Sequence, residues 1–218
     1  AISDVAQKTP PYFAGQGLAK SLDVPLLSFS DPTMERDPTL TLGFHAGNDK
    51  VPDLPVQMGR VITRFTTALG RPAMLFGGSG GGFAALNTLP HCGAQDSAVV
   101  WNPQTAIARY FWPAFRAYAR AAFPYISALH DLDDPACAPA LDAAICKTGC
   151  ATTLDVKWRP PVGCVSASVS TVTDKSLMLT RITLAMCVLS LALGLLRGQT
   201  IFRVRPDELL LPNPCRGL

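Results

Sequence analysis

This chain has little charge and few histidines. Only 16% of its 218 residues are Asp, Glu, Lys or Arg, the net charge is +3, and the basic residues are scattered rather than clustered. A balance so near neutrality excludes an extended nucleic-acid surface, which needs a concentrated basic face. Cysteine is almost missing from the first half. Cys92 stands alone before residue 130, and the other six cysteines fall between Cys137 and Cys215. An odd count spread this unevenly does not describe a small disulfide scaffold, so a reducing, cytoplasmic location is expected. Only Cys146 and Cys150 have the spacing of half a zinc site, so no metal is expected. No uncharged apolar run is long enough to cross a bilayer outright. Ile182–Leu196 falls about five residues short of the ~20 required. For the wider segment Leu177–Leu196, two readings stay open: a buried core helix, or a membrane-associated tether. No basic-then-apolar leader follows the first residue, Ala1, so a removed leader or a piece of a longer protein is expected.

What is present is an apolar fraction of 48%, enough for one α/β domain with a sizeable core. Val24–Phe29 reads as a buried strand running into Ser30-Asp31-Pro32. Leu54, Met58, Val61, Ile62, Phe65 and Leu69 share one helical face, closed by Gly70 and Pro72. Ala73–Phe76 is a second strand, Gly82–Leu89 a helix stopped at Pro90, and Ser97–Trp101 a third strand ended by Asn102-Pro103. Ile107, Phe111, Phe115, Tyr118 and Ala122 again share a helical face, which Pro113 should kink or restart. Strands alternating with such helices predict an α/β fold with a doubly wound, mostly parallel sheet, whose ligands bind beyond the carboxyl ends of the strands. Residues 1–125 form this expected core. Residues 126–218 read as a divergent, irregular region in which PPVGCVSASVSTVT could supply one edge strand and the last residues form a tail.

At one strand end the sequence runs Leu75-Phe76-Gly77-Gly78-Ser79-Gly80-Gly81-Gly82-Phe83. Gly77 to Gly81 match G-x-S-x-G between a strand and a helix, the context in which a serine is lifted above a sheet edge. Holding Ser79 there requires a sharp, strained turn, and side chains at Gly77 and Gly81 are expected to collide across it. The N–H of Gly80, at the helix start, would face a developing oxyanion. A Walker-type phosphate loop fails because Phe83-Ala84 stands where Lys and Ser or Thr are needed. A dinucleotide reading through Gly80, Gly82 and Ala85 lacks the acidic residue that the next strand, ending Val100-Trp101-Asn102, should supply. No cofactor is expected.

GGSGGGFAAL, the upstream LLSFSDP and the downstream AVVWNPQT together resemble the α/β-hydrolase superfamily. In particular they resemble a bacterial hydrolase-like branch associated with polysaccharide biosynthesis and export. The resemblance covers roughly Pro11 to Pro124. It implies a serine nucleophile at Ser79, elbow glycines Gly77, Gly78, Gly80 and Gly81, and a small-molecule or glycan ester as substrate. An inactive accessory protein of cell-surface polysaccharide handling, tethered through Leu177–Leu196, is the alternative. In the superfamily an acid and then a histidine follow the serine, but here Asp96 reads as a solvated turn residue at the far end of the sheet. Of the three histidines, His130 beside Asp131, Asp133 and Asp134 is the expected base. His91 reads as structural, and His45 as a loop residue whose neighbour Phe44 could wall a pocket. Phe13–Gly17 stands where a second oxyanion donor loop is expected, and the amino-terminal strands of such a fold are expected to be missing.

Overall fold

The computed structural model describes residues 11–156, 201–204 and 209–210. Along the chain lie α1 (Gln16–Leu22), α2 (Leu54–Leu69), β1 (Met74–Gly78), α3 (Gly80–Thr88), β2 (Ser97–Trp101), α4 (Ile107–Tyr110), α5 (Trp112–Ala122), α6 (Pro124–Ser127), α7 (Ala138–Cys146), β3 (Asp155–Val156), β4 (Ile201–Val204) and β5 (Leu209–Leu210). β1 and β2 pair in parallel, in register from Met74↔Ser97 to Gly78↔Trp101. α3 makes the crossover between them, as parallel pairing demands. The outer neighbour of β2 is β4, which runs antiparallel with Trp101 opposite Ile201. A second, two-stranded sheet joins β3 to β5. The architecture is thus a mix of helices with a small sheet in which one pair of strands is parallel, and three strands, β3, β4 and β5, come from the part of the chain expected to be irregular.

The expected strand over Val24–Phe29 does not join a sheet among the described residues. Side chains take the place of a ladder there. The Ser28 hydroxyl donates to the Ala14 carbonyl at 2.9 Å, and Ser30 Oγ accepts the Tyr12 N–H at 3.0 Å. Phe13–Gly17, expected as a loop, instead leads into α1, with Gly15 as a left-handed N-cap at φ 98°.

α2 is held as its sequence predicts. Pro55 occupies its first turn, and Gly70 at φ 62° closes it in the left-handed conformation that glycine favours. Its buried face is narrower than the apolar stripe. Leu54, Met58, Gly59 and Ile62 are buried, while Phe65 and Leu69 are 52% and 53% exposed. Gly59 sets the close approach, because a Cβ there would stand 2.5 Å from the His91 carbonyl oxygen. Further along, Phe111 adopts an extended conformation that ends α4, and Pro113 sits in the first turn of α5. The helix restarts at the expected proline, and the break leaves Phe111 exposed.

The core does not stop at Tyr125. Leu132, Leu141, Ile145 and Leu154 pack in one cluster with Phe44, Phe83, Leu86, Val100, Phe115 and Tyr118. The aromatic centre is edge-to-face: the Phe44 ring lies 5.3 Å from Tyr118 and 6.0 Å from Phe83. α7 joins this core through an i, i+4 pair, Leu141 and Ile145, set among small residues that carry no stronger periodic signal. No helix among the described residues is long and apolar enough to cross a membrane. Leu177–Leu196 and the expected edge strand PPVGCVSASVSTVT lie outside them. Because Leu141 and Ile145 are fully buried, Leu141→Ala or Ile145→Ala should each cost about 2–5 kcal/mol of unfolding free energy. Urea titration followed by tryptophan fluorescence checks this, and an unchanged midpoint would detach α7 from the core.

Candidate functional site

The carboxyl ends of β1 and β2 meet at Ser79. Its backbone has φ 54° and ψ −122°, the geometry of the first central residue of a type II′ turn, which normally takes glycine. Three backbone bonds hold it there. The Ser79 N–H donates to the Trp101 carbonyl at 3.1 Å, and the Ser79 carbonyl accepts from Phe83 at 3.2 Å and from Gln104 at 3.3 Å. The serine is therefore tied to both strands and to α3 at once.

The surrounding glycines are needed, but not all for the expected reason. A Cβ on Gly77 would overlap the Gly81 carbonyl, one on Gly78 would overlap the Trp101 indole, and one on Gly82 would come 2.9 Å from Pro103 Cβ. Gly81 itself faces open space, so the expected collision at position 81 does not occur. The collision is one-sided: Gly77 must lack a side chain because the Gly81 backbone crosses it. Ser79 is half-buried at the start of α3, whose first N–H groups have no partner within the helix and carry its positive dipole end.

Two further segments close around the elbow. One is the turn Asn102-Pro103-Gln104-Thr105. Gln104 is buried, and its Nε2 donates to Ser79 Oγ at 2.7 Å. Residues just before β3 secure this turn, with the Leu154 N–H on the Thr105 carbonyl at 2.8 Å and the Ile107 N–H on the Thr152 carbonyl at 3.0 Å. The other segment is the loop from Leu42 to Gly47. Leu42 and Phe44 lie 3.4 and 3.8 Å from where a Cβ on Gly80 would stand. Phe44 and His45 both have φ 53°, strained values for non-glycine residues.

Asp31 organises that loop. Its carboxylate accepts the Thr33 N–H and the His45 N–H, each at 2.9 Å, and the His45 ring Nδ1 stands 3.5 Å from the same Oδ2. The buried Thr33 hydroxyl accepts the Gly47 N–H at 2.9 Å, and a side chain on Gly43 would overlap Asp31. Burial pushes the His45 imidazole below its ordinary pKa, against the upward pull of Asp31. His45 thus favours the neutral form, with a carboxylate beside one ring nitrogen.

His130, the expected base, turns one ring nitrogen to its own backbone rather than to the neighbouring carboxylates. Its Nδ1 lies 2.9 Å from the carbonyl of Ile126, one turn back in its own segment. His91 packs its backbone beneath Gly59 of α2, as a structural residue would. Asp96 lies at the amino end of the sheet as expected, but it is not a solvated turn residue. It is buried, accepting the Ala73 N–H at 2.7 Å and the Gly93 N–H at 2.8 Å, and so ties the starts of both parallel strands. Cys92 is no competing nucleophile. Burial, then the neighbouring Asp96, pushes its thiol up to about 12, leaving it protonated at neutral pH. Among the described residues, no three His, Cys, Asp or Glu side chains are grouped so as to hold a metal ion.

Residue-by-residue reasoning missed Gln104 and the Asp31–His45 pair. The signals were present in the SDP and NPQT segments, but Asp31 and His45 stand 14 residues apart and Gln104 stands 25 from Ser79, which hid both contacts. The two halves of the glycine argument separate in stability. Gly77→Ala should cost about 1–3 kcal/mol or more from overpacking, whereas Gly81→Ala should stabilise by up to about 1 kcal/mol through helix propensity. Thermal melts of the two variants check the contrast, and equal shifts would contradict the geometry of the turn.

No family model, characterised protein or solved structure matches this chain.

Proposed function

We propose that this protein is a serine hydrolase or acyl-transfer enzyme with Ser79 as nucleophile, built on an α/β-hydrolase-like doubly wound sheet. The observation that carries the reading is the positive φ of Ser79 at a strand-to-helix junction. Backbone strain of this kind persists only where surrounding structure enforces it, and it concentrates at functional sites. The half-buried hydroxyl, the N–H of Gly80 at the helix start and the imidazole–carboxylate pair next to Phe44 support the same reading.

His45 rather than His130 is the assigned proton acceptor. It has a carboxylate beside Nδ1, and its loop lies against Gly80. The reaction balances as two half-steps. Ser79 Oγ loses its proton to the imidazole and bonds to the acyl carbon, while the carbonyl electron pair moves to oxygen beside the Gly80 N–H. That pair returns, the bond to the leaving alcohol breaks, and the imidazolium gives the alcohol its proton. Water or an acceptor hydroxyl then repeats the sequence on the acyl-serine, releasing acid or a new ester. The substrate is a small-molecule or glycan ester.

A fluorophosphonate probe with peptide mass spectrometry tests the assignment. Labelling should fall on the Ser79 peptide and vanish in Ser79→Ala. It should slow about 100-fold or more in His45→Gln, as loss of a general base does, and stay unchanged in His130→Gln. A base depressed below its ordinary value of 6.5 stays neutral to lower pH. The labelling rate should therefore be flat through neutrality and fall only on acidification below about 6.5. Folded protein that takes no label at Ser79 would refute the reading.

A further inference from the structure

Gln104 presents a problem that the acyl chemistry alone does not resolve. Its side chain is 5% exposed, and one amide atom, Nε2, donates to Ser79 Oγ at 2.7 Å. The other, Oε1, is buried with no hydrogen-bond partner and stands 3.7 Å from where a Cβ on Gly80 would be. A buried acceptor left unpaired costs about 1–3 kcal/mol, and folded proteins seldom leave one without a reason. The orientation also has a chemical consequence. With Nε2 donating, the serine proton stays available to a base. Turned over, Oε1 would hold that proton.

Resting on the reading of Ser79 as an acyl-accepting nucleophile, we propose that Gln104 Oε1 is a substrate-binding group. It accepts a hydrogen bond from an O–H or N–H carried by the substrate next to its scissile acyl group. Nε2 meanwhile fixes the Ser79 rotamer. The substrate class narrows accordingly, to esters whose alcohol portion bears a hydrogen-bond donor close to the ester oxygen. Esters of polyhydroxylated or acylamino alcohols fit this class, and simple alkyl esters do not. The selectivity has a physical source. A site built around an unpaired acceptor penalises a ligand that cannot supply the donor more than an apolar pocket penalises a missing methylene.

The test compares kcat/KM for three butyrate esters, of ethanol, ethylene glycol and N-acetylethanolamine, in wild type, Gln104→Met and Gln104→Glu. Ratios between variants cancel the intrinsic reactivity of each ester. Wild type should favour at least one donor-bearing ester over ethyl butyrate about tenfold or more beyond the ratio in Gln104→Met, which keeps the shape but has no donor and only a weak thioether acceptor. Gln104→Glu keeps an acceptor and loses the donor to Oγ. It should retain the preference while turning all three esters over more slowly, a split that general loss of structure would not produce. If wild type and Gln104→Met show the same ratios for both donor-bearing esters, the inference is overturned. If Gln104→Met does not fold, loss of the preference in Gln104→Glu overturns it instead. The fluorophosphonate label on wild-type Ser79 is read in parallel, so a failed nucleophile is distinguished from a failed substrate contact.

Discussion

The positive φ of Ser79 is the constraint on which the rest of the site depends. An L-residue does not adopt this conformation unless its surroundings leave no alternative, at a cost of order 1–3 kcal/mol. Those surroundings are specific. Parallel pairing of β1 and β2 brings the Trp101 carbonyl to the Ser79 N–H, while the turn after β2 brings the Gln104 N–H to the Ser79 carbonyl. α3 can begin at once because Gly77 and Gly82 let the backbones of strand, helix and turn touch where any side chain would overlap. The buried residues of α3, Phe83 and Leu86 among them, then anchor the turn to the aromatic core. Removing any one of these supports would let the serine relax into an ordinary loop.

Strain is concentrated around this point. Among the described residues, six that are not glycine have positive φ: Asp23 and Asp53 cap α1 and α2, and the other four are Phe44, His45, Ser79 and Asn102. These four belong to segments that border the elbow, at the same ends of the parallel strands. Three of them are held by identifiable contacts: Phe44 by its ring in the core, His45 by its N–H on Asp31, and Ser79 by its backbone bonds to Trp101, Phe83 and Gln104. Asp96 does the complementary work at the opposite end, fixing where the two strands begin. One end of the sheet is stabilised by a buried carboxylate. The other stores conformational energy next to a hydroxyl, an amide and an imidazole.

What the sequence made legible follows the range of the interactions involved. The strand β1, the elbow, α2, α3, β2 and the restart at Pro113 were readable because periodicity, glycine and proline act within a few residues. The site glycines were readable as a group but not one by one. Which of them carries a collision depends on the neighbour each faces, and Gly81 faces none. Val24–Phe29 had the composition of a strand, yet strand formation also needs a partner with free backbone groups. Its serines met residues 12–14 through side chains instead. α7 was obscured because a two-residue apolar pair among alanines, cysteines and prolines makes a weak pattern. The Asp31–His45 pair and the Gln104 contact join residues 14 and 25 positions apart, so only the fold brings them together. His130 showed the reverse error: acidic neighbours in sequence suggested a partnered imidazole, but its ring turned to its own backbone.

The central claim, that the structure holds Ser79 in a conformation only glycine accepts freely, is tested most directly by equilibrium denaturation of Ser79→Gly against Ser79→Ala. Both variants lose the hydroxyl and its bond to Gln104, so their difference isolates the backbone. At an ordinary position glycine is the less stable of the two by about 0.5–1 kcal/mol. Here the account predicts the opposite order, with Ser79→Gly the more stable by about 1 kcal/mol or more. An alanine variant equal to or more stable than the glycine variant would contradict it.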